Sequence, residues 1–219
     1  RRWLQWTGTL ALVLVIVQGI LGGLTVKFKL PMAVSAAHAC TAELFFILSV
    51  FMAFAPSVAW IKASPGKFKL SMPEQALSLL FCLFVFLQIM VGAIMRHSYA
   101  GLAIPTFPSA FGQIIPPFWN FGISVHFLHT RVGALLLVII GLAVISSVWV
   151  SPRQSLRTKV FALILGFILA LQCFLGMLSI WTGKAPIPTT VHLSVGALVF
   201  GAGFLLFLSI YRVKKPQMP

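Results

Sequence analysis

The chain has 219 residues, of which 60% are hydrophobic and only 8% are charged, and its mean hydropathy is +1.05. This composition excludes a soluble globular domain, because water cannot solvate so much apolar surface. The net charge of +14 would suit a nucleic-acid-binding protein, but the basic residues lie between long apolar runs. We therefore expect them to meet anionic lipid headgroups, and we expect no nucleic acid as a partner.

Six apolar runs follow one another along the chain. A helix needs about 20 apolar residues to cross a hydrocarbon core about 30 Å thick, since each residue rises about 1.5 Å. The sequence therefore predicts an all-α fold, a polytopic transmembrane helix bundle. The six predicted helices span roughly 3–26, 33–61, 74–95, 121–149, 158–182 and 189–211.

The basic residues divide unequally between the two ends of this bundle. The side that holds both termini carries most of them: Arg1, Arg2, Lys62, Lys67, Lys69, Arg153, Arg157, Lys159, Arg212, Lys214 and Lys215. The other side carries Lys27, Lys29, Arg96 and Lys184. By the positive-inside rule, both termini are expected on the cytoplasmic or matrix side of the membrane.

The first predicted hairpin recurs near the end of the chain. Gln18-Gly-Ile-Leu-Gly22 precedes His38, and Gln172-Cys-Phe-Leu-Gly176 precedes His192. Both Gln-to-His intervals are 20 residues, and the copies lie 154 residues apart. We interpret this as an internal duplication with a four-helix unit. Residues 1–61 would be the second hairpin of an N-terminal half, 62–219 a complete C-terminal half, and a preceding hairpin would be missing.

The segment between the third and fourth runs, residues 96–119, has no carboxylate and is rich in proline, glycine and large apolar residues. A loop of this length without a regular pattern is usually functional or disordered. Its apolar content argues against a solvated loop. We expect it to fold back over the membrane surface and cover a site.

Three histidines are predicted at a common depth. His38, His129 and His192 lie about 6–12 Å inside the same end of the bundle, counted by helix rise. Polar residues at this depth are costly and normally face the bundle interior. Neutral imidazole is a good axial ligand of haem iron, and two histidines from facing helices can hold one haem. We pair His129 with His192; the alternative is that these histidines only hydrogen-bond neighbouring helices.

Three further polar residues are candidates for the same site. His126 shares a helix face with His129, so one would be the ligand and the other a supporting group or proton carrier. Arg131 would neutralise a haem propionate, or alternatively cap loop carbonyls. Glu43, five residues beyond His38, is a candidate proton relay and our candidate catalytic residue.

Together these motifs resemble the haem A synthase family. Residues 88–117, QIMVGAIMRHSYAGLAIPTFPSAFGQIIPP, are similar to the family pattern Q-x-x-x-G-A-x-x-R, G-L-A, P-x-x-P, G and P-P. Residues 126–134, HFLHTRVGA, are similar to the family's H-R-x-x-A helix. The resemblance implies eight helices in two halves, each with two haem-ligating histidines. It assigns His129 and His192 to a haem b cofactor and His38 to the substrate haem.

The resemblance also implies an activity: oxidation of a methyl group of haem O to the formyl group of haem A, for cytochrome oxidase assembly. The implied partners are haem O, an electron donor, haem O synthase or oxidase assembly factors, and a second copy of the chain. The implied location is the bacterial inner membrane or the mitochondrial inner membrane. The alternatives are a non-catalytic b-type haem subunit of an electron-transfer complex and a cofactor-free transporter or scaffold.

Three departures from the family pattern stand out. The N-terminal hairpin that would supply the second ligand of His38's half is missing from this sequence. Ile104 and Ala110 stand where many members have loop cysteines. Thr130 separates His129 from Arg131, which interrupts the H-R pair.

Overall fold

The computed structural model describes residues 2–57 and 73–211. Within these residues, six helices are long and apolar enough to span a membrane, which confirms the predicted all-α fold and the number of membrane-length helices. They are α1 Arg2–Lys27, α2 Met32–Phe54, α3 Pro73–His97, α4 Phe121–Val150, α5 Leu156–Trp181 and α6 Pro186–Tyr211. The basic segment 62–72, with its Lys62, Lys67 and Lys69, and the terminal cations Arg1, Arg212, Lys214 and Lys215 lie outside the described residues.

The predicted second run, 33–61, was wrong at its end. The helix stops at Phe54, and Ala55 closes it by donating its backbone N–H to the carbonyl of Phe51. Pro56 follows, and a proline both lacks an N–H and disfavours helical backbone in the residue before it. The prediction continued past Phe54 because it relied on hydropathy alone, and Ala55 and the residues around it are apolar.

Local chemistry fixes where α4 and α5 begin. The side chain of Asn120 accepts a hydrogen bond from the backbone of Ile123 at 2.9 Å. Ser155 does the same for Thr158 at 3.2 Å. Both are N-cap bonds, which satisfy backbone donors that have no partner inside the helix. The loop that precedes α4 therefore ends at a defined residue.

The turns after α1 and α5 have the same backbone conformation. Lys29 and Leu30 have φ of 55° and 63°, and Gly183 and Lys184 have φ of 60° and 65°. In each turn the second residue donates its N–H to the carbonyl five residues earlier, at 2.8 and 2.7 Å. These positions are 154 residues apart, the offset of the repeated Gln-to-His interval.

Helices α3 to α6 form a closed ring. Each packs on the next, α3 on α4, α4 on α5 and α5 on α6, and α6 returns to α3. The histidine-bearing helices α4 and α6 therefore stand diagonally across the ring. The α1–α2 hairpin lies outside it, with α2 against α3 and α6. We call the end at which residues 98–120 join α3 to α4 the loop end.

The hydrophobic core fills the ring away from the loop end. Phe81, Val144, Leu165 and Leu206 are among its fully buried side chains. The Phe81 ring lies close to the backbone of two opposing helices, where glycines at 141 and 203 leave room for it. His38, His129 and His192 lie nearer the loop end than this core and are partly buried.

A buried carboxylate ties two elements together at the opposite end. Glu74, in the first turn of α3, is 3% exposed. Its Oε1 accepts hydrogen bonds from Ser151 Oγ at 2.9 Å and from Gln154 Nε2 at 3.2 Å. The α4–α5 connection is thereby fixed to the start of α3. A carboxylate in this position also complements the helix dipole.

The 98–120 loop folds back on the bundle. After a short 3-10 turn at Ala100–Leu102, Ile104 and Ala110 are fully buried and pack with Ile123 of α4. The two positions at which the resemblance places cysteines are therefore occupied by apolar residues of one small cluster. The loop is held by packing and by polar contacts described below.

Candidate cofactor site

Each of the three predicted ligand histidines packs against a glycine of the preceding helix. A methyl group added to the glycine would lie about 3 Å from the imidazole Cε1 atom, closer than an ordinary contact. These methyl-to-Cε1 distances are 3.0 Å for Gly22 and His38, 2.8 Å for Gly92 and His129, and 3.1 Å for Gly176 and His192. We call each of these contacts a histidine seat. A larger residue at the glycine position would force the imidazole to shift, most of all at Gly92.

The third seat, at Gly92, was missed by sequence reasoning. Its signal was present, because Gln88 precedes Gly92 by four residues, as Gln18 precedes Gly22 and Gln172 precedes Gly176. On sequence alone, Gln88 and Gly92 were not evidence for a histidine site, since membrane helices use small residues for close packing in any case. The long loop also stretches the Gln-to-His interval from 20 to 41 residues, which hides the pattern.

His192 is oriented by a backbone carbonyl. Its Nδ1 lies 3.2 Å from the carbonyl oxygen of Gln172, one turn before its seat. A carbonyl can only accept, so this contact requires the proton on Nδ1 and leaves Nε2 as the free electron pair. Histidine ligands of metals are commonly held in this way, through the nitrogen that does not bind the metal.

His129 lies in a π-helical turn, Leu128–Gly133, within α4. Such a turn closes i to i+5 and so contains one more residue than an α-helical turn. It therefore accommodates Thr130, the residue that interrupts the family's H-R pair. Gln88 Nε2 donates to the carbonyl of His129 at 3.0 Å and holds the turn against α3. The Gln88 side chain lies over Gly133, where no larger residue would fit.

The ring brings His129 and His192 together. They project from diagonal helices and are close enough to interact electrostatically. His129 is close to the backbone of Gln88, as His192 is to the backbone of Gln172. Two imidazoles, each with a glycine seat, would suit the iron of one haem. Among the described residues, no three or more His, Cys, Asp or Glu side chains lie close enough together to hold a metal ion.

His126 occupies a different environment, at the start of α4. It is fully buried, with its Nδ1 3.3 Å from Arg131 Nη1 and 3.4 Å from Thr130 Oγ1. Its Nε2 is buried and makes no hydrogen bond in the described part of the chain. Sequence alone left open which of His126 and His129 is the ligand. The glycine seat and the interaction with His192 belong to His129.

Arg131 holds the loop. Its Nη2 donates to the carbonyls of Thr106 and Ser109, at 2.6 and 3.0 Å, and its guanidinium lies 5.2 Å from the Phe107 ring centre. Of the two roles considered from sequence, the structure shows the capping of loop carbonyls. Residues two apart on a helix point to nearly opposite faces, so Arg131 and His129 do not converge.

His38 lies outside the closed ring, on α2. It has its own seat at Gly22, and its Nδ1 is buried without a hydrogen-bond partner in the described residues. His97, at the end of α3, is close enough to His38 to interact electrostatically. Glu43 is half-buried, and its Oε2 is likewise without a partner in the described residues. The structure therefore does not place His38 or Glu43 beside His129 and His192 in the ring.

Fold and site together define a bundle of six helices that are long and apolar enough to span a membrane, with histidines on two diagonal helices of a four-helix ring. The COX15-CtaA family model, described as cytochrome oxidase assembly protein, matches residues 1–210, and the chain belongs to this family.

The similar curated proteins are bacterial heme A synthases. The chain is 27% identical to that of Alkalihalophilus pseudofirmus over 209 residues, 92% of this chain and 67% of the relative. It is 27% identical to that of Halalkalibacterium halodurans, covering 87% and 63%, and 33% identical to that of Neorickettsia sennetsu, covering 78% and 53%. The chain thus spans about two thirds or less of the length of these relatives.

Proposed function

We propose that the α3–α6 ring holds a haem b, with His129 and His192 as its axial ligands. The observation that carries this proposal is the pair of seated imidazoles on diagonal helices of one closed ring. The Gln172 carbonyl would keep Nε2 of His192 free for the metal. Gln88 would hold the turn that carries His129. When bound, haem supplies redox chemistry that the side chains cannot.

We propose further that the protein takes part in the oxidation of haem O to haem A. The names of the similar proteins support this activity. The seat of His38 on Gly22 also supports it, because His38 would ligate the substrate haem. The methyl group would be hydroxylated twice, and each step would need an oxidant such as dioxygen. The resulting geminal diol would lose water to give the formyl group. Glu43 is the candidate proton carrier beside His38. The whole activity would also need an electron donor and the residues that the longer relatives have in addition.

The remaining residues serve the site indirectly in this proposal. The loop, clamped by Arg131, would exclude water from the end of the ring nearest the histidines. His126, buried under the loop close to the backbone of Gly101, would bind a polar group of the cofactor or carry a proton. Both termini would lie on the cytoplasmic or matrix side, and oxidase assembly factors, haem O synthase or a second copy would be partners.

Haem binding is tested by purifying the chain from cells supplied with haem precursor. The expected result is a b-type pyridine haemochrome spectrum at about one haem per chain. His129→Ala and His192→Ala should each lose most of this haem, because one axial bond is removed. The control is His97→Ala, at the end of α3 and at the same end of the bundle, because among the described residues His97 contacts no glycine of a neighbouring helix and is not an assigned ligand. Retention of full haem by both ring variants would refute the ligand assignment.

Catalysis is tested separately, by giving the membrane-reconstituted protein haem O and an electron donor. The proposed activity predicts a product with the mass and pyridine spectrum of haem A. A second candidate function is a non-catalytic b-type haem subunit. It is favoured by the fact that the described residues place one histidine pair, not two, diagonally across a closed ring. Reducible haem b with unchanged haem O would favour that candidate.

A further inference from the structure

We propose that residues 113–121 form an interfacial anchor, which inserts into the membrane leaflet at the loop end of the bundle. We call its exposed side chains the loop patch: Ile114, Ile115, Phe118, Trp119 and Phe121. This inference concerns the loop alone and is independent of the haem proposal. The partner is the boundary between lipid headgroups and acyl chains.

The loop patch is exposed although it is entirely apolar. Ile114 is 88% exposed, and the other four side chains are more than half exposed. Exposed apolar patches of this kind mark interaction surfaces. The flanking sequence has no charged residue that would favour exposure of the patch to water, since no Asp, Glu, Lys or Arg occurs between Arg96 and Arg131.

The patch lies at the depth of the headgroup layer. The ring helices have 25 to 30 residues, or about 37–45 Å, and exceed a hydrocarbon core of about 30 Å. Their ends therefore reach into the headgroup layer. Phe121 is the first residue of α4, and the other patch residues directly precede it. Tryptophan and other aromatic side chains favour this layer.

Hydrogen bonds hold the part of the loop that directly precedes the patch. Ala110 and Gln113 exchange two backbone hydrogen bonds, at 2.6 and 3.2 Å. The Phe111 N–H donates to Thr106 Oγ1 at 3.2 Å, and Arg131 binds the carbonyls of Thr106 and Ser109. The patch therefore follows a segment that is fixed to α4.

Aromatic contacts hold the patch in place. Phe118 packs on Phe111 with ring centroids 5.0 Å apart, and Trp119 packs edge-on against Phe127 at 5.4 Å. The patch is therefore ordered before it meets the membrane, so little conformational entropy is lost on insertion. About half of each of these two side chains remains exposed and is available to lipid.

An apolar groove continues from the patch along α4. It has a volume of about 490 Å³ and runs between the loop and the outward face of the helix. Ile114, Phe127, Val132 and Leu135 are among its lining residues, and Leu135 is 62% exposed. Its position, beside the part of α4 that crosses the membrane, fits a lipid acyl chain as the occupant.

Site-directed spin labelling tests the anchor in phosphatidylcholine nanodiscs. In a background with Cys40, Cys82 and Cys173 replaced by alanine, labels are placed at Ile114→Cys and Ile115→Cys. Both are expected to be more accessible to oxygen, which partitions into lipid, than to a water-soluble nickel chelate. The matched control is Lys184→Cys, at the same end of the bundle, where the chelate should dominate.

Two results would overturn the proposal. One is chelate access at the patch equal to that at Lys184→Cys. The other is a label shielded from both reagents in native membranes but open to the chelate in nanodiscs, which would show a protein partner.

If the cysteine variants do not fold, the fluorescence of Trp119 serves as the probe instead. Lipids brominated near the headgroup should quench wild-type fluorescence more than that of Trp119→Phe, and equal quenching would contradict insertion.

Discussion

Gly92 and His129 are in direct contact across α3 and α4, so closely that a methyl group on the glycine would lie 2.8 Å from the imidazole Cε1. Two other glycine–histidine pairs, on α1–α2 and α5–α6, share this relationship. The close contact at Cε1 limits how far each imidazole can move toward the preceding helix.

Gly92→Ala should reduce haem binding without removing any ligand. The added methyl group must displace the His129 ring or the helix, and overpacking of this kind typically costs about 1–3 kcal/mol. We expect a several-fold loss of haem per chain, measured by the pyridine haemochrome, and a shifted Soret band in the haem that remains. Gly23→Ala on α1 is the control, since nothing lies within 4 Å of its position. Equal haem content in both variants would contradict the seat.

Gln88→Leu should loosen the π-helical turn of α4. The substitution removes the hydrogen bond from Nε2 to the His129 carbonyl, a loss of about 1 kcal/mol, and leaves that carbonyl without this donor. We expect a lower thermal unfolding midpoint in detergent and weaker haem retention. Gln172→Leu is the matched comparison, because the Gln172 side-chain oxygen is buried without a partner in the described residues. The prediction fails if Gln172→Leu is the more damaging of the two.

Arg131→Gln should release the 98–120 loop. Its guanidinium binds the carbonyls of Thr106 and Ser109, and a glutamine side chain is too short to reach both. We expect faster amide hydrogen exchange across residues 103–113, with the helices unchanged. Trp181→Phe should give a smaller increase in the same peptides, because it removes a single bond to the Phe107 carbonyl. Exchange confined to α4 would argue that Arg131 stabilises the helix and not the loop.

Glu74→Ala should destabilise the bundle at the end opposite the loop. It leaves Ser151 and Gln154 with buried donors that lose their acceptor, at about 1–3 kcal/mol for an unsatisfied group. We expect a lower thermal midpoint with haem binding per folded chain unchanged, because the histidines lie at the other end of the ring. Glu74→Gln, which keeps one acceptor oxygen, should be milder. A midpoint unaffected by either change would show that the carboxylate is not a structural tie.

Much of the architecture follows from hydropathy. The apolar runs give the six helices to within a few residues, and only α2 departs, where Pro56 ends the helix before the apolar run does. The 154-residue offset of the repeat also relates the turns at Lys29–Leu30 and Gly183–Lys184. The division into four-helix halves and the side of the membrane that holds the termini remain predictions.

The candidate site was only partly accessible from sequence. The expected depth of His38, His129 and His192 could be estimated from their position along each helix, because helix rise converts residue number into depth. The seat at Gly92 could not, since the loop of residues 98–120 breaks the interval that marks the other two. Nor could the direction of Arg131, which depends on the extra residue in the π-helical turn.

The sequence by itself determined that this protein is a bundle of membrane helices with histidines at one depth, and which family it resembles. These properties depend on local hydrophobicity and on spacing along single helices. The tertiary structure decided which histidines share one ring, that His129 rather than His126 has a seat, and that Arg131 holds the loop. The physical reason is that these relationships depend on the order in which the helices pack and on the rotation of each helix about its axis. Contacts between residues that are distant in sequence determine both.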